Sequence, residues 1–186
     1  MTTLSIYKQD RPEAPRKVTA DPAEISQLLA ERNIRFEQWP TRQLAADASQ
    51  EQVLEAYCEE VEALKADCGF QTADVISLSA DNPQKGALRQ KFLDEHIHSE
   101  DEVRFFVRGQ GLFYLHLGDE VYAVLCQQND LISVPNGTPH WFDMGPEPEF
   151  TCIRLFTNPD GWVAQFTGED IASRLPRYES LAGAPR

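Results

Sequence analysis

The sequence predicts an α+β fold, with helices in the first third and then a series of short antiparallel strands forming a sandwich or closed barrel. Three observations carry this expectation. Two helix-start signatures lie before residue 70. Near that point the apolar period changes from about 3.6 residues to about 2. Beyond it, turn residues recur at short intervals between strand-like runs.

The elements follow in order. Asp21-Pro22-Ala23-Glu24 offers an N-cap, a proline at the first helical position and an acid able to reach back to the cap. The helix continues through Ile25, Leu28 and Leu29. Residues 34–39 alternate like a strand that stops at Pro40. Ser49-Gln50-Glu51-Gln52 is a second capping box, opening one helix with Val53, Leu54, Tyr57, Val61 and Leu64 on a single face and ending near Gly69. Residues 74–79 read as a strand and 86–92 as a short helix. Strand-like runs then cover 95–99, 102–108, 111–117, 120–125, 131–134, 140–144 and 151–156. Gly109-Gln110-Gly111, Gly118-Asp119, Asn129-Asp130, Asn136-Gly137 and Gly145-Pro146 punctuate them as turns. The expectation is one domain over 1–186: an N-terminal α/β segment of about 1–80, a barrel of about 86–160 and a tail over 161–186.

Composition excludes some partners. Acidic residues outnumber basic ones 30 to 17, for a net charge of −13. Phosphate backbones and anionic membranes both need a basic surface, so neither nucleic acid nor membrane is expected as a partner. An anionic small substrate would be repelled at long range and would need a local cation, either a metal ion or a placed arginine. The four cysteines form no CxxC pair, and no apolar stretch reaches membrane-spanning length, so a cytoplasmic protein is expected. Cys58, Cys68, Cys126 and Cys152 read as small buried hydrophobes. No long exposed apolar helix calls for an obligate oligomer, and a monomer is expected.

Chemistry concentrates in three of the four histidines. His96-Ile97-His98 places two imidazoles on one face of a strand. Glu102 follows four residues later, and Pro135-Asn136-Gly137-Thr138-Pro139-His140 delivers a third imidazole just after a tight turn. Three neutral imidazoles and a carboxylate suit a divalent first-row ion, and the absence of thiolate fits iron, nickel, manganese or cobalt as well as zinc. Taken alone, an HxH pair in a strand is more often a surface or hydrogen-bonded pair. The ordered set is more specific. His116 reads instead as a hydrogen-bonded core or rim residue, and Trp39, Trp141 and Trp162 as packing residues.

The HxH(x)3E element with Gly109 downstream, followed by PxG(x)2H, resembles the two motifs of the cupin superfamily. The runs 92–105, 109–113 and 134–142, together with Asp160-Gly161-Trp162-Val163 and the N-terminal helical segment, resemble the acireductone dioxygenase family of methionine salvage. That resemblance implies a cupin-type antiparallel β-barrel (a double-stranded β-helix or jelly roll) with N-terminal helices packed outside. It implies one Fe2+ or Ni2+ per chain on His96, His98, Glu102 and His140. It also implies a small enediol substrate, 1,2-dihydroxy-3-oxo-5-(methylthio)pentene, cleaved with O2. The iron form gives formate and 4-methylthio-2-oxobutanoate. The nickel form gives formate, CO and 3-methylthiopropanoate. Other metallocupin enzymes share the ligands but not these flanking runs, and non-enzymatic cupins often lack a complete ligand set.

Further residues are expected around the ligands. Arg104, two positions after Glu102, shares the ligand face and offers fixed positive charge to a substrate dianion. The bland alternative is an ion pair with Glu95 or Asp101. Those two carboxylates could orient a ligating imidazole or take a proton from the enediol. Phe92 and Phe142 are expected to wall the pocket for the methylthio tail.

Overall fold

The computed structural model describes residues 1–158 and 163–182. The first segment contains two strands that the sequence reading had not assigned, β1 (Thr3–Lys8) and β2 (Lys17–Thr19), paired antiparallel. α1 (Pro22–Ala30) begins as expected, with the Asp21 side chain accepting from Ala23 N at 2.9 Å. Glu24 does not reach back to the cap; it pairs with Lys17 at 2.6 Å. β3 (Arg35–Gln38) follows.

The second capping box forms reciprocally, Ser49 N to Gln52 Oε1 at 2.8 Å and Gln52 N to Ser49 Oγ at 3.3 Å. The helix it opens is not continuous. It breaks at Tyr57 (φ −112°, ψ 20°) into α2 (Gln50–Ala56) and α3 (Cys58–Cys68). Tyr57 is fully buried, its ring edge-on to Phe105 with centroids 4.8 Å apart and its hydroxyl accepting from Arg42 N. The bend lets both pieces bury their apolar faces, Val53 from one and Val61 and Leu64 from the other. α3 ends where expected, at Gly69 with φ 79°.

The remaining elements are β4 (Thr72–Leu78), α4 (Lys85–Phe92), β5 (His96–Ile97), β6 (Glu102–Leu117), β7 (Glu120–Gln127), β8 (Asp130–Val134), β9 (His140–Asp143), β10 (Phe150–Phe156) and β11 (Gln165–Phe166). Two short helices, α5 (Ile171–Arg174) and α6 (Tyr178–Ala182), follow where only a tail was expected. The strand pairs among the described residues are antiparallel, and β6 belongs to two groups of them. Its first half pairs with β8 and β10, and its second half with β7 and β9.

Residues 109–111, expected as a turn, continue that strand just past a bulge. Cys152 pairs with Phe106 but Thr151 pairs with Arg108, so Val107 is the extra residue. Before it, Val103, Phe105 and Val107 pack on one side with Trp39, Tyr57 and Leu64, while Glu102 and Arg104 line a cavity on the other. After it the parity is reversed: Phe113 and Leu115 face the inner cluster, and Leu112 and Tyr114 face outward toward Ile171 and Leu175. Gly109 sits at φ 75°, and a Cβ there would lie 1.8 Å from the Glu149 carbonyl oxygen. Gly109, together with Gly111, where a Cβ would lie 2.3 Å from the Phe142 ring, therefore marks a close approach rather than a chain reversal.

The cysteines divide. Cys126 and Cys152 are buried as expected, but Cys58 and Cys68 are exposed on α3. Trp141 points away from the cavity and stacks on Tyr114 at 4.9 Å, and Trp39 packs on Phe105. Asp160, Gly161 and Trp162 lie outside the described residues.

Candidate metal centre

The site draws on the start of β6 and on strand β9, which pairs with its second half. His96 of β5 is the register partner of His140 of β9, and Glu102 opens β6 opposite Val134. The turn before His140 is closed by Thr138 N to Pro135 O at 3.2 Å, with Gly137 at φ 71°. That turn is latched to the loop carrying His98: Gly137 N donates to His98 O at 2.9 Å, and Asn136 N to Asp101 Oδ1 at 2.8 Å. Two widely separated motifs thus arrive together because backbone and one carboxylate clip them.

The structure gathers His96, His98 and His140 so that one ligand atom from each lies within 4.8 Å of the others, and all three rings are buried. Glu102 joins two of them, its Oε2 3.1 Å from His98 Nε2 and 3.0 Å from His140 Nε2. The orientation of the rings is fixed from behind. His96 Nδ1 lies 2.7 Å from the Asp94 carbonyl and His140 Nδ1 lies 2.7 Å from the Thr138 carbonyl. A carbonyl can only accept, so in each ring Nδ1 carries the proton and a neutral ring turns the lone pair of Nε2 inward. Burial, then the neighbouring His140, pushes His96 down to about 4, which keeps that ring neutral at pH 7.

This donor set fits a divalent ion. A neutral His140 donating from Nδ1 turns its Nε2 lone pair toward the Glu102 oxygen 3.0 Å away, an arrangement that a divalent cation between them satisfies. Two ligands bound at about 2.1 Å and at right angles on one ion are roughly 3 Å apart, the separation found here. Burial would raise the Glu102 carboxyl, but the Arg104 charge beside it holds it well below the usual range.

The surrounding residues sit as follows. Arg104 donates from Nε to Glu102 Oε1 at 2.7 Å and lies 4.7 Å from the ring centre of Phe142. Its ion-pair partner is therefore Glu102, not Glu95 or Asp101. Neither of those two carboxylates occupies the place expected behind a ligating imidazole of His96 or His140, because backbone carbonyls are nearer. Glu95 instead takes His116 Nδ1 and the Thr167 hydroxyl, each at 2.7 Å, and Asp101 holds Asn136. His116 completes that chain with Nε2 3.0 Å from Gln9 Oε1, a rim position.

A cavity of about 190 Å³ opens beside the histidines. Phe92 and Phe142 line it, together with residues that the sequence reading missed: Ile76, Leu78, Leu88, Met144, Phe150 and Arg154. The parity of β10 carries the missing signal, since Phe150, Cys152 and Arg154 alternate along one face. Roughly 300–1,000 Å³ is usual for a drug-sized ligand, so this cavity suits a small metabolite.

A buried three-histidine centre with a carboxylate against it, inside an antiparallel β fold, defines a candidate metalloenzyme. Comparison with known proteins narrows the class. The family model described as the ARD/ARD′ family matches residues 3–164. Acireductone dioxygenase of Marinobacter nauticus is 72% identical over 183 residues, covering 98% of this chain and 99% of that protein. The protein of the same name from Hahella chejuensis is 66% identical over 181 residues, 97% of this chain and 98% of its own. Among solved structures, acireductone dioxygenase from Bacillus anthracis with a cadmium ion in its active centre matches with a TM-score of 0.78 at 29% identity, over 89% of this chain and 98% of that one. The chain belongs to the ARD/ARD′ family.

Proposed function

We propose that the protein is an acireductone dioxygenase, an O2-using oxidoreductase that cleaves 1,2-dihydroxy-3-oxo-5-(methylthio)pentene in methionine salvage. The observation that carries this reading is the convergence of His96, His98 and His140 with Glu102 beside a small apolar cavity. Relatives named for this activity at 57–72% identity support it. In this reading those four residues hold one Fe2+ or Ni2+. A divalent ion bound there supplies Lewis acidity, lowering the proton affinity of the oxygens it binds.

The chain's own residues then have distinct tasks. Arg104 lines the cavity and keeps a permanent positive charge beside the ligands, where a substrate dianion is otherwise opposed by a net charge of −13. Its guanidinium is fixed by Glu102 and by the Phe142 face, so that charge is already oriented. Phe142, Phe92, Leu88 and Met144 give the methylthio tail an apolar wall and exclude water from the reacting end. Asp101 acts as a positioning residue for the His140 turn, and Glu95 does the same for the strand carrying His96.

The same reading takes the two groups of strands as one cupin-type barrel with the N-terminal helices outside it, and residues 1–186 as a single domain. The separate outer cluster of Val53, Tyr57, Val61 and Leu64 against the outward face of β6 supports that arrangement. The reading also takes the protein as a cytoplasmic monomer without nucleic-acid or membrane partners, which the acidic charge favours. No helix among the described residues is long and apolar enough to cross a membrane. Product analysis tests the function: iron- and nickel-loaded protein should each consume O2 with the enediol, the nickel form alone releasing CO. Loaded protein that leaves the enediol unreacted contradicts the proposal.

A further inference from the structure

The apolar wall of the cavity rests on a helix that holds itself poorly. α4 is eight residues long, has no side-chain N-cap and contains no fully buried residue. A helix of that length is marginal in water. Its Leu88 and Phe92 nevertheless line the cavity and pack, partly buried, against the inner core.

What fixes the helix is a guanidinium. Arg89 places Nε and Nη2 on the two oxygens of Asp143, at 2.8 and 3.0 Å. Nη1 and Nη2 also reach the two oxygens of Glu179 in α6, both at 2.8 Å. The Asp143 side chain is fully buried, and its oxygens accept further bonds from Gly145 N and Tyr178 N, each at 3.0 Å. Each oxygen has two donors, the condition under which a buried charge is tolerated. Asp143 ends β9, between Phe142 and Met144 of the cavity wall and three residues after His140. α6 is seated independently as well, because a Cβ on Gly145 would meet the Tyr178 ring at 2.7 Å. One side chain therefore ties together the helix that walls the cavity, the strand that carries a histidine of the centre, and the C-terminal helix.

We propose that Arg89 is a positioning residue for the substrate's tail, setting where Leu88 and Phe92 stand, and that α6 governs this setting through Glu179. The inference rests on the reading of the cavity as an enediol site. An arginine fork grips two carboxylates in one plane; a lysine matches the charge but not that geometry.

Arg89→Lys and Glu179→Gln test it, with two enediols as probes, one bearing the methylthio tail and one with a plain methyl group in its place. Arg89→Lys should raise KM for the tailed enediol roughly tenfold, the low end of what one methylene of pocket contact is worth. The kcat, metal content and KM for the short enediol should stay at wild-type values. Glu179→Gln leaves the Asp143 pair intact, so its KM shift is smaller and in the same direction. Amide exchange over residues 85–92 should quicken in both variants. Equal KM shifts for the two enediols, or unchanged exchange over 85–92, overturn the proposal. If Arg89→Lys fails to fold, Glu179→Gln carries both measurements. A wild type inert on both enediols refutes the function instead, and the exchange rates then decide the clamp separately.

Discussion

The histidine centre and the apolar wall of the cavity meet at β9, yet they are held by different physics. His96 and His140 stand on strands in register, and the backs of their rings rest on backbone carbonyls two residues away. Moving a donor atom there means disturbing strand pairing. The wall contributed by α4 depends on side chains alone, chiefly Arg89 on Asp143 and Glu179, with Lys85 on Glu147 at the far end. The contrast teaches where each task is placed. His96, His140 and Glu102 sit on the sheet, with His98 latched beside them by the turn before His140, and the surface that judges a substrate's tail sits on an adjustable element.

Breaking the rigid region should give the largest effects. His140→Ala removes one of the three gathered imidazole donors, and the bound metal should fall from about one ion per chain to less than a tenth, by elemental analysis. The far-ultraviolet circular dichroism should be nearly unchanged, since the helices lie elsewhere. Arg104→Ala should lower enediol turnover by about 10²- to 10³-fold, the usual cost of losing one preorganised electrostatic partner. It should retain far more metal than His140→Ala, which separates charge placement from ligation. Undiminished turnover would show Arg104 to be structural.

Gly109→Ala strikes the close approach of β6 to Glu149, two residues past the bulge. Its φ of 75° and the 1.8 Å approach to the Glu149 carbonyl leave no room for a methyl group. A loss of about 3 kcal/mol is expected, seen as a melting temperature lower by roughly 6–12 °C for a chain of this size. A stable Gly109→Ala protein would contradict that close approach.

The smallest effect lies far from the centre. Glu120 is buried and its carboxyl is held below the usual range, first by Arg16 and also by Lys8, against the opposing effect of burial. A depressed acid contributes stability above its unfolded value, near 4.3, and that stability is lost as pH falls through the folded value. Glu120→Gln should therefore melt below wild type at pH 7, by about 1–3 kcal/mol. The gap should close as pH drops below about 4, with turnover unaffected. A gap that persists at low pH would assign the effect to packing.

The sequence made legible what depends on short spacing. HxH, the glutamate four residues on, and the turn before His140 are local patterns; along β9, Phe142 lines the cavity and Trp141 packs in the outer cluster. Pairings across long separations left no such trace. Arg89 lies 54 positions from Asp143 and 90 from Glu179, and no period links them. Arg154 was overlooked because a charged residue in a strand reads first as solvated. β1 carries Leu4 and Ile6 in period 2, but six residues are a weak signal beside a charged, proline-bearing stretch. Asp101 and Glu95 read as candidates to orient a ligating imidazole, but at His96 and His140 the backbone carbonyls of Asp94 and Thr138 serve the rings.

The most direct measurement is the metal content of purified protein, paired with its oxygen uptake on the enediol. About one iron or nickel per chain, with O2 consumed only when both metal and enediol are present, is the result this account predicts. Metal-loaded protein that takes up no oxygen, or a chain that binds no divalent ion with His96, His98 and His140 intact, would contradict it.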